Sequence, residues 1–555
     1  MNEVKTENNN CMEISSAGSA ASKPDALHQQ APENRQHDTA QNECASTPTP
    51  PPAPAQASKP AGPAQDALLL PVTRKFPYFM GLSLAFGAVY TFCLYKNPAG
   101  ITYPLFTVFA CLCGYLACKE LKIPMKRGSF FLMAAAVLIG IGTCRTAEWF
   151  LIRMNGVALV LLGIVFGIHQ FYDDKTWNIG KYFCSMVVYV CQALETLPCP
   201  FRHTCSYIKN QENKTLKKVS FFFIGFLIAV PMLAVLIALL GAADAVFSNL
   251  IHELLGKLLK PATIFSILFQ FLFGAVALYC LICGCCLHGL KPDAANRQKG
   301  EPVIATACMS TISAVYLLFC GIQVFYLFMG KGNLPEGYTF SSYARQGFFQ
   351  LLLVAFLNLI MVLCCLKYIR PSRALNMVLT LICICTYIMI ASAWYRMMLY
   401  VGEYHLTYLR LIVLWFLAML SILMIGVTLI IWKTKFPLFS YSLAVVSVFY
   451  IALVWAKPGS IIAWDYVNHM DTDYATGEDF YFLYYELSAD AAPAISTLNF
   501  AESASKGWDF SAQLNNYYFV HTKKDSREQM GIRTYNFALA KARKLFPTVP
   551  SSASK

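Results

Sequence analysis

Long apolar runs, separated by short polar segments, follow one another from residue 76 to residue 456. A helix that crosses a lipid bilayer needs about 20 mainly apolar residues, and eleven runs approach or exceed that length. They cover residues 76–95, 100–118, 128–144, 154–171, 219–240, 263–287, 305–329, 347–366, 373–395, 408–432 and 436–456. The pattern predicts an all-α, polytopic helical membrane protein with about eleven transmembrane helices.

Lysine and arginine residues are dense in one set of loops and sparse in the alternate set, and dense loops mark the cytoplasmic side of a membrane. The dense loops lie at residues 74–75, 119–127, 175–218, 291–299, 367–373 and 433–435. This alternation predicts a cytoplasmic amino terminus and an extracytoplasmic carboxyl terminus. Since the start of the chain lacks the basic and apolar blocks of a signal peptide, we expect the first apolar run to be an uncleaved anchor.

Three pieces lie outside the predicted spans, which together form a transmembrane domain over residues 67–456. Residues 1–66 are rich in proline and alanine and are expected to form a disordered cytoplasmic tail. The cytoplasmic loop 172–218 contains an apolar run closed by Pro198 and Pro200, which predicts an interfacial helix, with a twelfth span as the alternative. Residues 457–555 are expected to form a small helical extracytoplasmic domain.

Composition supports the membrane prediction, because 57% of residues are hydrophobic and only 14% are charged. The lipid bilayer is therefore the first predicted partner. The net charge of +13 is explained by basic residues in short loops, so no nucleic-acid partner is expected. The 21 cysteines fall mainly within spans or toward the cytoplasmic side, which predicts reduced thiols and no disulfide framework.

Five segments carry a resemblance to a known family. They are ADAVF (243–247), LPEGYTFSSYARQGFFQL (334–351), YRMMLYVGEYHLTYLRL (395–411), KPGSIIA (457–463) and LSADAAPAISTL (487–498). On these segments the chain resembles bacterial multi-pass membrane proteins of the domain of unknown function 4173 / 4153 type. The resemblance covers most of the chain after Phe76 and implies a multi-span fold in the bacterial plasma membrane. It implies no activity, because the family has no established one. This sequence departs from the family at His405, where the family more often has glycine.

Charged residues within or near these segments map to the outer ends of the predicted helices. Guanidinium groups suit bidentate contacts with oxyanions, so the arginines of this rim are candidate binding residues for an anion such as a lipid phosphate. In the alternative interpretation, the arginines pair with the rim carboxylates and dock the exported domain. The candidate residues are Arg345, Arg396, Arg410, Glu336, Glu403 and Asp465.

Other clusters of reactive residues favour structural interpretations. Cys280, Cys283, Cys285 and Cys286 have thiolate-like spacing, but they sit at the end of an apolar run and are expected to pack as small hydrophobic residues. HELLG lacks the second histidine of a zinc protease helix, and Asp173 and Asp174 are expected to lie in a solvated loop. The sequence thus predicts no catalytic residues, metal site or cofactor.

Three functional hypotheses remain. The first is a non-enzymatic sensor, scaffold or assembly partner, with an exported helical domain that binds an anionic lipid or envelope protein and a proline-rich tail that meets a cytoplasmic partner. The second is a transporter of a small or lipid-like anionic substrate, with Gln323, Asn358 and Ser392 among its few polar residues at depth. The third is a membrane enzyme acting on a lipid-linked substrate at the outer face.

Overall fold

The computed structural model describes residues 69–174, 177, 179–209, 261–287, 300–325, 340–469, 481–498 and 531–546, together with isolated positions between 225 and 244. Residues 261–262, 340–347 and 484 are described by their backbone alone. Throughout these ranges the regular structure is helical, and the only β pairing is an isolated bridge between Gly300 and Ile369. The predicted amino-terminal tail and the predicted fifth span, 219–240, lie largely outside the described residues.

Ten helices in the described ranges are long and apolar enough to cross a membrane, and they coincide with ten of the predicted spans. The all-α, polytopic prediction is therefore confirmed. The third and fourth predicted spans, 128–144 and 154–171, are the shortest of the eleven, and the structure has them as separate helices of 19 and 23 residues. In order, the ten are α2 (Phe76–Leu94), α3 (Thr102–Glu120), α4 (Arg127–Arg145), α5 (Trp149–Phe171), α8 (Pro261–Cys286), α9 (Pro302–Gln323), α10 (Phe340–Tyr368), α11 (Arg373–Tyr404), α12 (Tyr408–Trp432) and α13 (Leu438–Ala456).

Shorter helices complete the described fold. A single turn, α1 (Leu70–Arg74), precedes the first span, and α6 (Ile179–Glu195) and α7 (Cys199–Lys209) follow α5. After the last span come α14 (Pro458–His469), a π-helical turn at Phe482–Glu486, a 3-10 turn at Ala489–Ala491, α15 (Ala492–Ile495), a 3-10 turn at Ile532–Thr534 and α16 (Phe537–Leu545).

The spans pack in two groups joined by α13. In the first group, α2 packs on α3 and α8, and α4 packs on α3 and α5; in the second, α11 packs on α9, α10 and α12. Helix α13 contacts α4 of the first group and α12 of the second. Outward-facing positions such as Val303 and Leu318 are 76% and 69% exposed, which suits contact with lipid tails rather than water.

Buried polar side chains within the second group bond across helices. The Ser392 hydroxyl donates to Gln323 Oε1 at 2.7 Å, and Asn358 Nδ2 donates to Thr386 Oγ1 at 2.9 Å. Such bonds satisfy polar groups that lipid cannot solvate and hold neighbouring helices together. Gln323, Asn358 and Ser392 thus have a structural role whether or not any of them contacts a ligand.

The expectation of a solvated loop at Asp173 and Asp174 is wrong for Asp174. Its residue surface is only 8% exposed, and its carboxylate lies 2.8 Å from His169 Nδ1 and accepts from the Tyr182 hydroxyl at 3.2 Å. The reason is that α6 turns back over the end of α5 and covers this carboxylate. Cys280, Cys283, Cys285 and Cys286 are buried in α8, as the packing interpretation predicted.

The described parts of the carboxyl-terminal segment, residues 457–555 (the tail), pack against the second group of spans. Leu483, Leu487, Ala491 and Ile495 are each at most 1% exposed and belong to the same hydrophobic core as residues of α10, α11 and α12. Ser488 accepts from the backbone N–H of Asp490, and a proline occupies the first turn of α15. These parts of the tail therefore share a core with the spans.

Candidate functional site

Four separate segments bring polar side chains together at one end of the bundle, which the charge pattern predicts to be extracytoplasmic. They are the turn between α4 and α5, the start of α12, the turn between α13 and α14, and the tail before α15. We call the cluster the tail junction. It consists of Thr146, Glu148, Tyr408, Lys457, Ser488 and Asp490.

Asp490 lies at the centre of the tail junction, and its side chain is completely buried. The Thr146 hydroxyl and the Ala147 backbone N–H, the latter at 3.0 Å, both donate to its Oδ2. The Lys457 ammonium lies 3.4 Å from the other oxygen, Oδ1. A buried carboxylate is tolerated only when it is paired and hydrogen-bonded. Asp490 therefore links the tail both to the first group of spans and to the end of α13.

The turn that carries Lys457 has an unusual backbone conformation. Lys457 has φ 54° and ψ 75°, in the left-handed region, and it ends α13 immediately before Pro458 opens α14. A Cβ at Gly459 would lie 2.6 Å from the Tyr408 hydroxyl oxygen and 3.1 Å from Ser488 Oγ. Glycine is therefore required here because the tail junction packs directly against the backbone.

Glu148 forms the second carboxylate of the tail junction. The Tyr408 hydroxyl donates to Glu148 Oε2, and Ser488 also bonds to this carboxylate. Burial raises the pKa of Glu148 above its ordinary value, and the nearby charge of Asp490 raises it further, while the hydrogen bonds from Tyr408 and Ser488 oppose the rise. The tail junction thus contains one carboxylate paired with lysine and a second whose pKa is raised by burial.

A second set of contacts fixes the last described part of the tail to the first group of spans. Asn536 caps α16 by accepting from the N–H groups of Ala538 and Leu539, while its Nδ2 donates to the carbonyl oxygens of Ala99 and Thr146, both at 2.9 Å. These contacts complement a backbone bond of 2.8 Å from the Ile101 N–H to the Tyr535 carbonyl. The tail therefore contacts the first group at two turns, α2–α3 and α4–α5.

Two of the predicted rim residues stabilise the turn between α11 and α12. Arg410 donates to the carbonyl oxygens of Tyr404 and His405 and lies over the Tyr400 ring, 4.2 Å from its centroid. Asp465 Oδ2 accepts from the Leu406 N–H at 2.7 Å. Both side chains thus contact the same turn, in which the cation binds the last carbonyls of α11. Their predicted part in ligand binding stays a prediction.

The remaining rim residues are dispersed. Arg396 is 7% exposed, and its guanidinium donates to Gln323 Oε1 at 3.2 Å. Glu403 is exposed beside Tyr395 and Gly402 in an open groove of about 350 Å³. Glu336 and the side chain of Arg345 lie outside the described part of the chain. Within the described residues, the structure brings Arg410 and Asp465 to one turn but does not bring the candidates into one cluster.

His405 has a backbone conformation that fits the glycine preference noted in the sequence. Its φ of 60° and ψ of 171° fall in a region that is essentially restricted to glycine. Its ring packs on Tyr466, with 4.8 Å between ring centroids. The turn therefore tolerates histidine at the cost of backbone strain.

Sequence reasoning missed the tail junction, although signals for it were present. Lys457, Ser488, Asp490 and Tyr408 all lie in segments that carried the family resemblance. Asp490 is not among the predicted site residues, because nothing in its sequence neighbourhood indicates contact with Thr146, 344 positions away. Among the described residues no group of three histidine, cysteine or acidic side chains is arranged to hold a metal ion.

The fold and the tail junction define a polytopic helical membrane protein. The chain belongs to the family described as a domain of unknown function, DUF4153, whose model matches residues 133–498. The match begins later than the resemblance expected from Phe76, and it ends at the last residue of LSADAAPAISTL, so it includes every residue of the tail junction. No curated protein and no solved structure matches the chain.

Proposed function

We propose that the protein is a non-enzymatic sensor or assembly partner of the bacterial plasma membrane, in which the tail couples an external component to the arrangement of the spans. The observation that carries the proposal is Asp490, a buried carboxylate of the tail held by Thr146 of the first group and Lys457 at the end of α13. Any event that displaces the tail acts on both groups of spans at once. Such coupling suits signalling or assembly.

The external component is proposed to be anionic, either an envelope protein or a lipid headgroup. Helix α16 supports this choice, because Lys541 and Lys544 are exposed on it while its Ala538 and Ala542 are buried. A basic helix face on an otherwise anchored segment attracts acidic partners by charge complementarity. The proline-rich amino-terminal tail remains the proposed site for a cytoplasmic partner.

Transport of an anionic substrate is the second candidate, and one observation favours it. Arg396 is buried near the outer end of α11, where its guanidinium and the Ser392 hydroxyl both bond to Gln323 of α9. Buried ionisable groups in membrane helices often mark substrate pathways. However, Arg396 lies 23 residues after Arg373 at the start of α11, about 35 Å along the helix axis, which places it beyond the middle of the bilayer.

The experiment compares proteins and small molecules that co-purify with the full chain from its native membrane, identified by mass spectrometry. We expect a retained partner to be lost from the double variant Lys541→Glu, Lys544→Glu, which alters exposed side chains and should leave the spans folded. The control is Glu301→Gln, which breaks an exposed ion pair of 3.6 Å with Arg370 at the other end of the bundle.

Equal recovery of every partner from the double variant and the control would contradict the role given to α16. Absence of any retained protein or anionic lipid from the wild-type chain would contradict the sensor and assembly proposal as a whole. A retained small anion that is lost from Arg396→Gln, with α16 intact, would favour transport instead.

A further inference from the structure

Helix α6 has its polar and apolar faces in the opposite arrangement to a helix on the surface of a soluble protein. The side chains turned toward the protein include Tyr182, Ser185, Tyr189 and Gln192, all at most 9% exposed. The outward side is apolar along its length, with Phe183 at 69%, Val187 at 52% and Leu194 at 58% exposure. Exposing this apolar side to water would cost free energy, because apolar surface is more stable when it is removed from water.

The inward side of α6 bonds to carbonyl oxygens of a neighbouring span. The Tyr189 hydroxyl donates to the Leu281 carbonyl oxygen, and Oγ1 of Thr196, the residue that follows α6, donates to that of Cys280, both at 3.1 Å. At the other end of α6, the Tyr182 ring stacks on Phe439, with 3.6 Å between centroids. Since Phe439 belongs to α13 and Leu281 to α8, α6 runs across the ends of spans rather than alongside one of them.

The contact positions give the depth of α6 relative to the ends of the spans. Leu281 lies five residues before Cys286, the end of α8, and Gly167 lies four residues before Phe171, the end of α5. At a rise of about 1.5 Å per residue, these contacts lie about 6 to 8 Å inside the helix ends. A Cβ at Gly167 would lie 2.9 Å from the Tyr189 hydroxyl oxygen, so the two helices are in direct contact at that depth.

We infer that α6 is sunk into the leaflet predicted to be cytoplasmic, and that phospholipid acyl chains cover its outward face. Interfacial helices usually bury their apolar face about 5 to 10 Å into the boundary between headgroups and acyl chains, which agrees with the depth given by Leu281 and Gly167. Unlike an ordinary interfacial helix, α6 directs its polar side at the protein. It therefore contacts lipid on one side and packs against the ends of α5, α8 and α13 on the other.

The inference is tested with the full chain in nanodiscs of phosphatidylethanolamine and phosphatidylglycerol, by two labelling reactions read by peptide mass spectrometry. A lipophilic diazirine delivers carbenes from within the acyl chains, and hydroxyl radicals report contact with water. Leu318, 69% exposed on α9, serves as the lipid reference, and Glu301, whose side chain is 60% exposed, serves as the water reference.

We expect Phe183, Val187 and Leu194 to match Leu318 in carbene labelling and to be protected from hydroxyl radicals. Radical labelling like that of Glu301 would overturn the inference, since α6 would then face water. Protection from both reagents would also overturn it, because a protein would then cover the helix.

A pair of variants provides a second measurement at the same face. Val187→Asp should reduce carbene labelling of α6 and introduce radical labelling, because a carboxylate is driven out of the acyl region. Val187→Ile, which keeps the site apolar, should leave both patterns unchanged. If the two variants gave the same labelling, the outward face of α6 would not be in contact with lipid.

Discussion

Replacing Asp490 by alanine should weaken the attachment of the tail to the spans. The change leaves the Thr146 hydroxyl and the Ala147 N–H without the acceptor that they share, and it leaves the Lys457 ammonium without its carboxylate. Breaking one side of a fully buried ion pair costs about 3 to 5 kcal/mol. Because the Lys457 side chain is 26% exposed and can reach water, we take the lower end, about 3 kcal/mol.

The assay is amide hydrogen exchange of residues 481–498 in the purified full chain, followed by mass spectrometry. A loss of about 3 kcal/mol should raise the population of the opened tail about 100-fold, since each 1.4 kcal/mol is about tenfold, and exchange through local opening should rise in proportion. Asp490→Asn should have a smaller effect, because Thr146 and Ala147 donate to the same oxygen, Oδ2, and an amide oxygen in its place still accepts both hydrogen bonds. Only the pairing with Lys457 is then lost.

The matched control is Asp173→Asn, which changes an exposed carboxylate at the opposite end of the bundle and should leave exchange of the tail unchanged. If Asp490→Ala and Asp173→Asn gave equal exchange in residues 481–498, the tail would be held by its apolar contacts and by the bonds of Tyr535 and Asn536, without a contribution from Asp490. The reasoning that assigns its attachment to Asp490 would then be refuted.

Three further predictions concern the same end of the bundle. The pKa of Glu148 is raised in the folded state, so its stabilising contribution is complete below the unfolded-state pKa and is lost as pH rises through the folded-state pKa. Opening of the tail, measured by hydrogen exchange, should therefore increase with pH over that window. Glu148→Gln should flatten this pH dependence. Gly459→Ala should lower the free energy of unfolding by about 1 to 3 kcal/mol, since the new Cβ clashes with Tyr408. Thermal unfolding should show the loss as a lower melting temperature. The control is Gly402→Ala, where a Cβ meets nothing within 4 Å and should cause little loss. In the same assay, His405→Gly should be more stable than His405→Ala by up to about 1 to 3 kcal/mol, because glycine relieves the backbone strain at φ 60°. Both variants lose the ring, so the comparison isolates the backbone. Equal melting temperatures of the two variants would contradict this.

The sequence predicts the spans well because the length of an apolar run is a local property. Ten predicted spans have a helix at the corresponding position, and the polar residues Gln323, Asn358 and Ser392, which the sequence places at depth, bond across helices. The tail junction could not be predicted in the same way. Its central bond joins Thr146 to Asp490 across 344 positions, and only the packing of the tail brings these residues together.

Asp174 illustrates the same limit on a smaller scale. A carboxylate just after the end of an apolar run is usually solvated, and nothing local distinguishes Asp174 from the exposed Asp173. The difference arises because α6 places Tyr182 against one of them. The sequence therefore shows that both residues lie just after a helix end. Which of the two is buried depends on how the next helix, α6, packs.

The attachment of the tail changes how its function has to be tested. Deleting residues 487–555 from a tethered, independent domain would remove partner binding and spare the spans. In this fold the deletion would also remove Leu487 and Ile495 from the core of the second group and leave Lys457 without Asp490. A lost partner in such a truncation would therefore not separate binding from folding. Exposed substitutions on α16 do separate them, because Lys541 and Lys544 lie outside both the shared core and the tail junction.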